Sequence, residues 1–231
     1  VDAVDNRTPT NSLRFGIDAW AAWLPGREAM LCGSEAPAKA PLPLSLRRRI
    51  GENGRKVLEA AWAVLPRNDD MPRLILSSRH GEYERTFRLL QEISTTGAVS
   101  PADFSLSVHH ALIGLLSIAT RNTAGHSAIA AGPDTFGFAL LEAVACLKED
   151  RAPVLLMHFD ESLPSAYAVP REPTVAMALL LSPEGPFGMA FSPGQTGGDD
   201  CPAACFAGML ETGAHTATAR SLRMTWQWTH E

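Results

Sequence analysis

The residues from His126 to Asp150, HSAIAAGPDTFGFALLEAVACLKED, join a short apolar run, a tight turn and an amphipathic helix. Enzymes of the α/β class mount a nucleophile on such a strand–turn–helix, with backbone N–H groups aimed at the oxyanion that develops. The turn reads Gly132-Pro133-Asp134. Gly132 supplies backbone freedom, Pro133 suits a first helical position, and Asp134 suits the positive end of a helix. None of the three carries a thiol or hydroxyl, and proline lacks even an amide N–H. The nearest thiol, Cys146, falls about three helical turns further on.

Other reactive side chains fit a chemical pattern only in part. Ser127, in GHSAI, half-matches the G-x-S-x-G elbow of hydrolases, but the last Gly is missing and the serine opens a strand instead of closing one. His109 and His110 stand early in a helix, where sequence neighbours point to different faces. Cys201 and Cys205 are four apart with only His215 nearby, short of the four ligands a zinc site takes, so they read as free cysteines. Asp160 and Glu161 close a core strand and read as strand-end caps or interface residues. FSPGQTGGDD has the composition of a phosphate loop without the Gly-Lys-Ser/Thr that completes one. No metal and no cofactor is implied.

These residues need a frame. Leu13 to Leu24 reads as a buried first strand leading into an aromatic turn region ended by Pro25-Gly26. A helix is expected from about Leu46 to Leu65, with Ile50, Val57, Leu58, Ala61 and Leu65 at helical spacing. Pro72 to Ser78 forms a short apolar strand, and Glu82 to Ile93 a helix with Phe87, Leu90 and Ile93 on one side. Ser100 or Asp103 is a candidate helix cap, and SVHHALIGLLSIAT is an apolar helix. PVLLMHFDE and TVAMALLLS are continuous apolar strands, and SLRMTWQWTHE is a closing strand with Leu222, Met224, Trp226 and Trp228 alternating. Trp226 and Trp228 share a face that is either core or a contact surface. Pro183 to Cys205, rich in Gly, Pro and Asp, reads as a mobile loop. Strands that are apolar throughout and alternate with helices indicate an α/β fold, its sheet covered on both faces.

The 231 residues, 45% hydrophobic and 19% charged, are enough for one large core and exclude wholesale disorder. We expect a flexible lead-in over residues 1–12 and one domain over 13–231. The net charge of −5 gives no electrostatic case for nucleic acid or an anionic membrane. No run reaches the ~18 apolar residues of a membrane span. The polar start lacks a secretory core, and four irregularly spaced cysteines point to a reducing cytoplasm.

The stretch from Ser107 to Leu147 resembles the part of β-ketoacyl synthases that leads into their nucleophilic cysteine. Laid on that pattern, Gly114 with Leu115 to Ile118 falls on the family's Gly-containing helix. Gly125 falls on the turn before the strand, Ser127 to Ala131 on the strand, and Pro133 on the cysteine. The resemblance runs from about Phe15 to Leu181. Its nearest form is the short ketosynthase-like N-terminal family, which includes chain-length-factor subunits of aryl polyene and related type II polyketide systems.

That resemblance implies a thiolase-like half-fold, a mixed sheet with helices on both faces. It also implies that Pro133 removes both the thiol and the oxyanion N–H, leaving no catalytic residue. The family's second half, with two histidines and a lysine, is expected to have no counterpart. The implied role is a non-catalytic partner of a full-length β-ketoacyl synthase, working with acyl carrier protein through the complex in polyketide or fatty-acid-like biosynthesis. Ser127, Ala128, Ile129, Ala130 and Ala131 would pair across the heterodimer interface, and Phe104 would limit chain length. Two alternatives stand beside it. One is an acyl-thioester hydrolase or transferase using Ser127 or Cys146 with His126 or His158. The other is a homodimeric acyl-chain-binding scaffold.

Overall fold

The computed structural model describes residues 12–33, 42–48, 50–66, 71–160, 162–167, 174–194 and 198–231. All but Ser12 of the expected lead-in lies outside the described residues, as does Glu161. In chain order the elements are β1 (Leu13–Trp23), β2 (Leu31–Cys32), α1 (Leu44–Arg47), α2 (Glu52–Val64), β3 (Arg73–Ser77), α3 (Tyr83–Thr96), α4 (Pro101–Leu106), α5 (Ala111–Thr120), β4 (His126–Ile129), α6 (Thr135–Asp150), β5 (Val154–Phe159), β6 (Ala176–Pro193), α7 (Pro202–Thr212), β7 (Thr216–Arg220) and β8 (Met224–His230).

The strands form one mixed sheet in the order β2-β1-β6-β5-β3-β4, with β8 on β6 and β7 on β8. β5, β3 and β4 are parallel, and β6 runs antiparallel to β5, β1 and β8. β5 is buried along its whole length, because side chains leave a strand alternately to both faces and both faces are covered. On one face Leu74, Leu76, Leu155, Met157 and Phe159 meet Leu58 of α2 and Leu112 and Ile113 of α5. On the other, Ile75 and Leu156 meet Phe136 and Leu140 of α6, Phe206 of α7 and the two indoles of β8. Each such aliphatic side chain contributes about 1.5–3 kcal/mol by leaving water.

The sheet and its two helical layers agree with the sequence reading, and Trp226 and Trp228 are core. Three expectations are corrected. The helix from Leu46 to Leu65 is two, because Gly51 is extended at the start of α2 and donates its N–H to the buried Glu82 carboxylate at 2.7 Å. That carboxylate also suits the positive end of α2. Of Pro183 to Cys205, residues 195–197 lie outside the described residues, and the described ones do not form one mobile loop. β6 runs on to Pro193, paired by β1 and β8, after residues 183–186 step out between the Gly16–Ser182 and Phe15–Phe187 pairs. Asp200 then ties to Arg220 through two backbone-directed hydrogen bonds of 2.8 and 3.0 Å, and α7 starts at Pro202. The apolar helix expected from Ser107 starts only at Ala111, so His109 precedes it and His110 is its N-cap. The helix expected over Glu82 to Ile93 is α3, and the described residues leave its apolar stripe largely uncovered. Leu89 is the one buried residue of that helix, while Leu90 and Ile93 face solvent.

Candidate functional site: the elbow between β4 and α6

β4 lies at the end of the sheet, paired among the described residues on one side only, with Ser127 opposite Ile75 and Ile129 opposite Ser77 of β3. The strand ends at Ile129, so Ala130 and Ala131 of the expected five-residue strand belong to the turn. Gly132 takes a positive φ of 64°, which a side chain would strain. α6 begins at Thr135 with Asp134 as its N-cap, and Pro133 stands one residue before the cap, not at the first helical position.

The turn is closed by its own hydrogen bonds. Ala131 N–H donates to Thr135 Oγ1 at 2.8 Å, and that hydroxyl donates to Gly132 C=O at 2.6 Å. Thr135 N–H donates to the same carbonyl at 3.2 Å. These backbone donors point inward, and Pro133 has none. Asp134 does not cap the backbone with its side chain. It is fully buried and accepts from Trp226 Nε1 at 2.9 Å through Oδ1. Arg223, in the turn between β7 and β8, donates to Ala131 C=O at 2.7 Å and sets Nε 3.7 Å from Asp134 Oδ2. Trp226 lies so close over the first turn of α6 that a Cβ on Gly137 would sit 2.2 Å from its ring. The C-terminal hairpin therefore clamps the elbow from outside.

Ser127 and His158, one of the pairs named for a hydrolase, do not come together. His158 pairs in register with Ser77, which faces Ile129, so Ser127 lies two strands across and two residues along. With strands ~4.8 Å apart and ~3.3 Å per residue, that separation is about 10 Å or more. Cys146 is buried in the middle of α6, with Sγ 3.9 Å from Glu142 Oε1, and burial pushes its thiol pKa up. A thiol in that state is a poor nucleophile. His126 is exposed at the start of β4, its ring 5.7 Å from that of His110.

Sequence reasoning missed a buried pair. Ser77 Oγ and His158 Nδ1 are 2.9 Å apart, with the Phe136 ring edge-on to the imidazole at 5.4 Å. Burial depresses the His158 pKa from 6.5 to about 3, against the smaller upward pull of a hydrogen bond with the Ser77 backbone, so the imidazole is neutral. No local spacing signals the pair, because strand register alone joins residues so far apart in sequence. Beside it, Asp160 accepts from Ser78 Oγ at 3.1 Å and Arg79 N–H at 2.7 Å, the strand-end cap expected of it. His109 Nε2 lies 2.7 Å from Ser78 C=O. Phe104 is 61% exposed on α4, whose N-cap is Ser100. Cys201 caps α7 and Cys205 lies in its first turn. Among the described residues no three His, Cys, Asp or Glu side chains converge as metal ligands, and no helix is long and apolar enough to cross a membrane.

A family model described as "Beta-ketoacyl synthase, N-terminal domain" matches residues 20–229. The chain belongs to this family. Among solved structures, a chain from the ketosynthase (ApeO) in complex with its chain length factor (ApeC) of Xenorhabdus doucetiae is 25% identical, with a TM-score of 0.78 over 94% of this chain and 100% of that one. A chain of the ishigamide ketosynthase/chain length factor is 15% identical, with a TM-score of 0.55 over 86% of this chain and 73% of that one, a likeness of fold alone. No curated protein matches the sequence. The fold of this β-ketoacyl synthase N-terminal domain is thiolase-like, as the resemblance implied.

Proposed function

We propose that this β-ketoacyl synthase-family chain is a non-catalytic, chain-length-factor-like partner of a full-length β-ketoacyl synthase, acting on aryl polyene or polyketide chains held by acyl carrier protein in the cytoplasm. The elbow carries this reading. In the place where the family resemblance puts a cysteine stands Pro133, with neither thiol nor N–H, inside a turn where the N–H groups of Ala131 and Thr135 bond within the turn itself. A condensing enzyme needs both the thiolate and the oxyanion donors. The likeness to a chain of a ketosynthase–chain length factor complex supports the same reading.

In this reading residues 13–231 act as one domain. Ser127, Ala128 and Ile129 pair antiparallel with the partner's strand along the free edge of β4, and Ala130 and Ala131 bring the elbow to the dyad. Their small side chains allow close approach. Phe104 projects from α4 as a wall of the acyl pocket in the partner. Its exposure means that truncation costs this chain little stability on its own.

The test is Phe104→Ala in a reconstituted pair, with malonyl-loaded carrier protein and mass spectrometry of the released chains. We expect the product distribution to move longer by at least one extension unit, with the melting temperature of the chain unchanged. An unchanged distribution removes Phe104 from the wall. Extension activity by this chain without a ketosynthase would refute the non-catalytic role.

A further inference from the structure

The edge of β4 offers four residues, whereas a stable protein interface uses roughly 20–30 residues a side. The remainder of the contact surface has to come from what adjoins it. α3 is an amphipathic helix that buries only Leu89, and it packs chiefly against α4, which buries nothing. The two are bolted together by charge. Arg85 Nη1 donates to Asp103 Oδ1 at 2.7 Å, and Arg88 reaches the same carboxylate at 3.4 Å. With these cations turned into the α3–α4 junction, the apolar stripe of α3 is left outward. Phe87 is half-buried against Tyr167, while Leu90 and Ile93 are 51% and 50% exposed.

The adjoining helices expose further apolar residues. Phe104 on α4 and Val108 beyond it are exposed, and α4 packs on α5. α5 is apolar all round, a pattern that belongs to a helix covered on every side. Here its inner residues are buried while Ile118 is 78% exposed, and open space lies beyond Gly114 one turn before it. From α5 the chain passes directly into β4.

We propose that α3, α4 and the outward face of α5 form an arm that clasps the same ketosynthase subunit whose strand pairs with β4. This rests on the partner reading above, and extends the contact from four strand residues to three helices. Phe87, Leu90, Ile93, Phe104, Val108 and Ile118 are its apolar contacts.

The test is the affinity of this chain for the full-length ketosynthase, with hydrogen exchange of the arm in the free and bound states. Leu90→Glu/Ile93→Glu should weaken binding at least tenfold, while Gln91→Glu/Ser94→Glu, which adds the same charge beside the stripe, should not. Amides of α3 and α4 should gain protection on binding. If the wild type binds and Leu90→Glu/Ile93→Glu binds equally well with no added protection, the arm is wrong and the partner reading stands. If the wild type binds no ketosynthase, both fall. If the wild type is a homodimer that Leu90→Glu/Ile93→Glu dissociates, the arm takes a second copy and the occupant named here is wrong.

Discussion

Trp226→Ala lowers the unfolding free energy by about 4 kcal/mol or more, from a total that is typically about 5–15 kcal/mol. The indole is fully buried on β8 and rests on Gly137, with Phe138 edge-on at 5.1 Å, so the substitution opens a cavity that α6 cannot close without moving. It also takes away the donor to Asp134 Oδ1, leaving a fully buried carboxylate with Arg223 at 3.7 Å as its remaining charged neighbour. An orphaned buried acceptor adds about 1–3 kcal/mol. The two conservative variants separate these costs. Trp226→Phe keeps most of the ring volume and loses the hydrogen bond, whereas Trp228→Phe deletes an indole N–H that has no partner among the described residues. Urea unfolding followed by circular dichroism should therefore rank Trp226→Ala worst, then Trp226→Phe, with Trp228→Phe mildest. Equal costs for the two Phe variants would mean that the Asp134 bond contributes nothing.

The second large effect is on pH dependence. His158 is buried and neutral in the fold, its pKa held at about 3, while the unfolded chain binds that proton at the ordinary value of 6.5. Between those values the unfolded state carries the proton and the native state does not, so stability falls as pH falls. The contribution is fully present above pH 6.5 and is lost at about 1.4 kcal/mol per pH unit through the middle of the window. Between pH 7 and pH 5 the wild type should lose about 2 kcal/mol more than His158→Gln, which has no proton to gain. The difference between the two slopes isolates this group from the carboxylates, which titrate in both. Parallel slopes would show that the imidazole protonates as readily in the fold as outside it.

Much of this architecture could be read from the sequence where burial is periodic. β3 and β5 appear as apolar runs, and Phe136, Leu140, Ala143, Val144 and Leu147 mark the inner face of α6. The second half of β6 could not. Pro183, Gly185, Pro186 and Gly188 have the composition of a loop, and only pairing with β1 and β8 makes Phe187 to Pro193 a strand. α7 was hidden behind the same composition, in a segment read as loop to Cys205.

The site divides along the same line. That Gly132-Pro133-Asp134 carries no thiol or hydroxyl is local, and the residues themselves state it. The clamp on that turn is not. Arg223 and Trp226 meet Ala131 and Asp134 from the far end of the chain, and Ser77 meets His158 through strand register alone. In α3 the period was legible, but which side of it faced the core was not. A helical stripe marks a surface to be covered without saying whether the same chain covers it.

The central claim is partnership, and mass measures it most directly. The chain should be co-expressed in turn with each full-length β-ketoacyl synthase of its genome, purified through a tag on the ketosynthase, and weighed by native mass spectrometry. We expect one ketosynthase to carry this chain with it in a one-to-one heteromer. Recovery of the ketosynthases and this chain as separate homomers in every pairing would contradict the account.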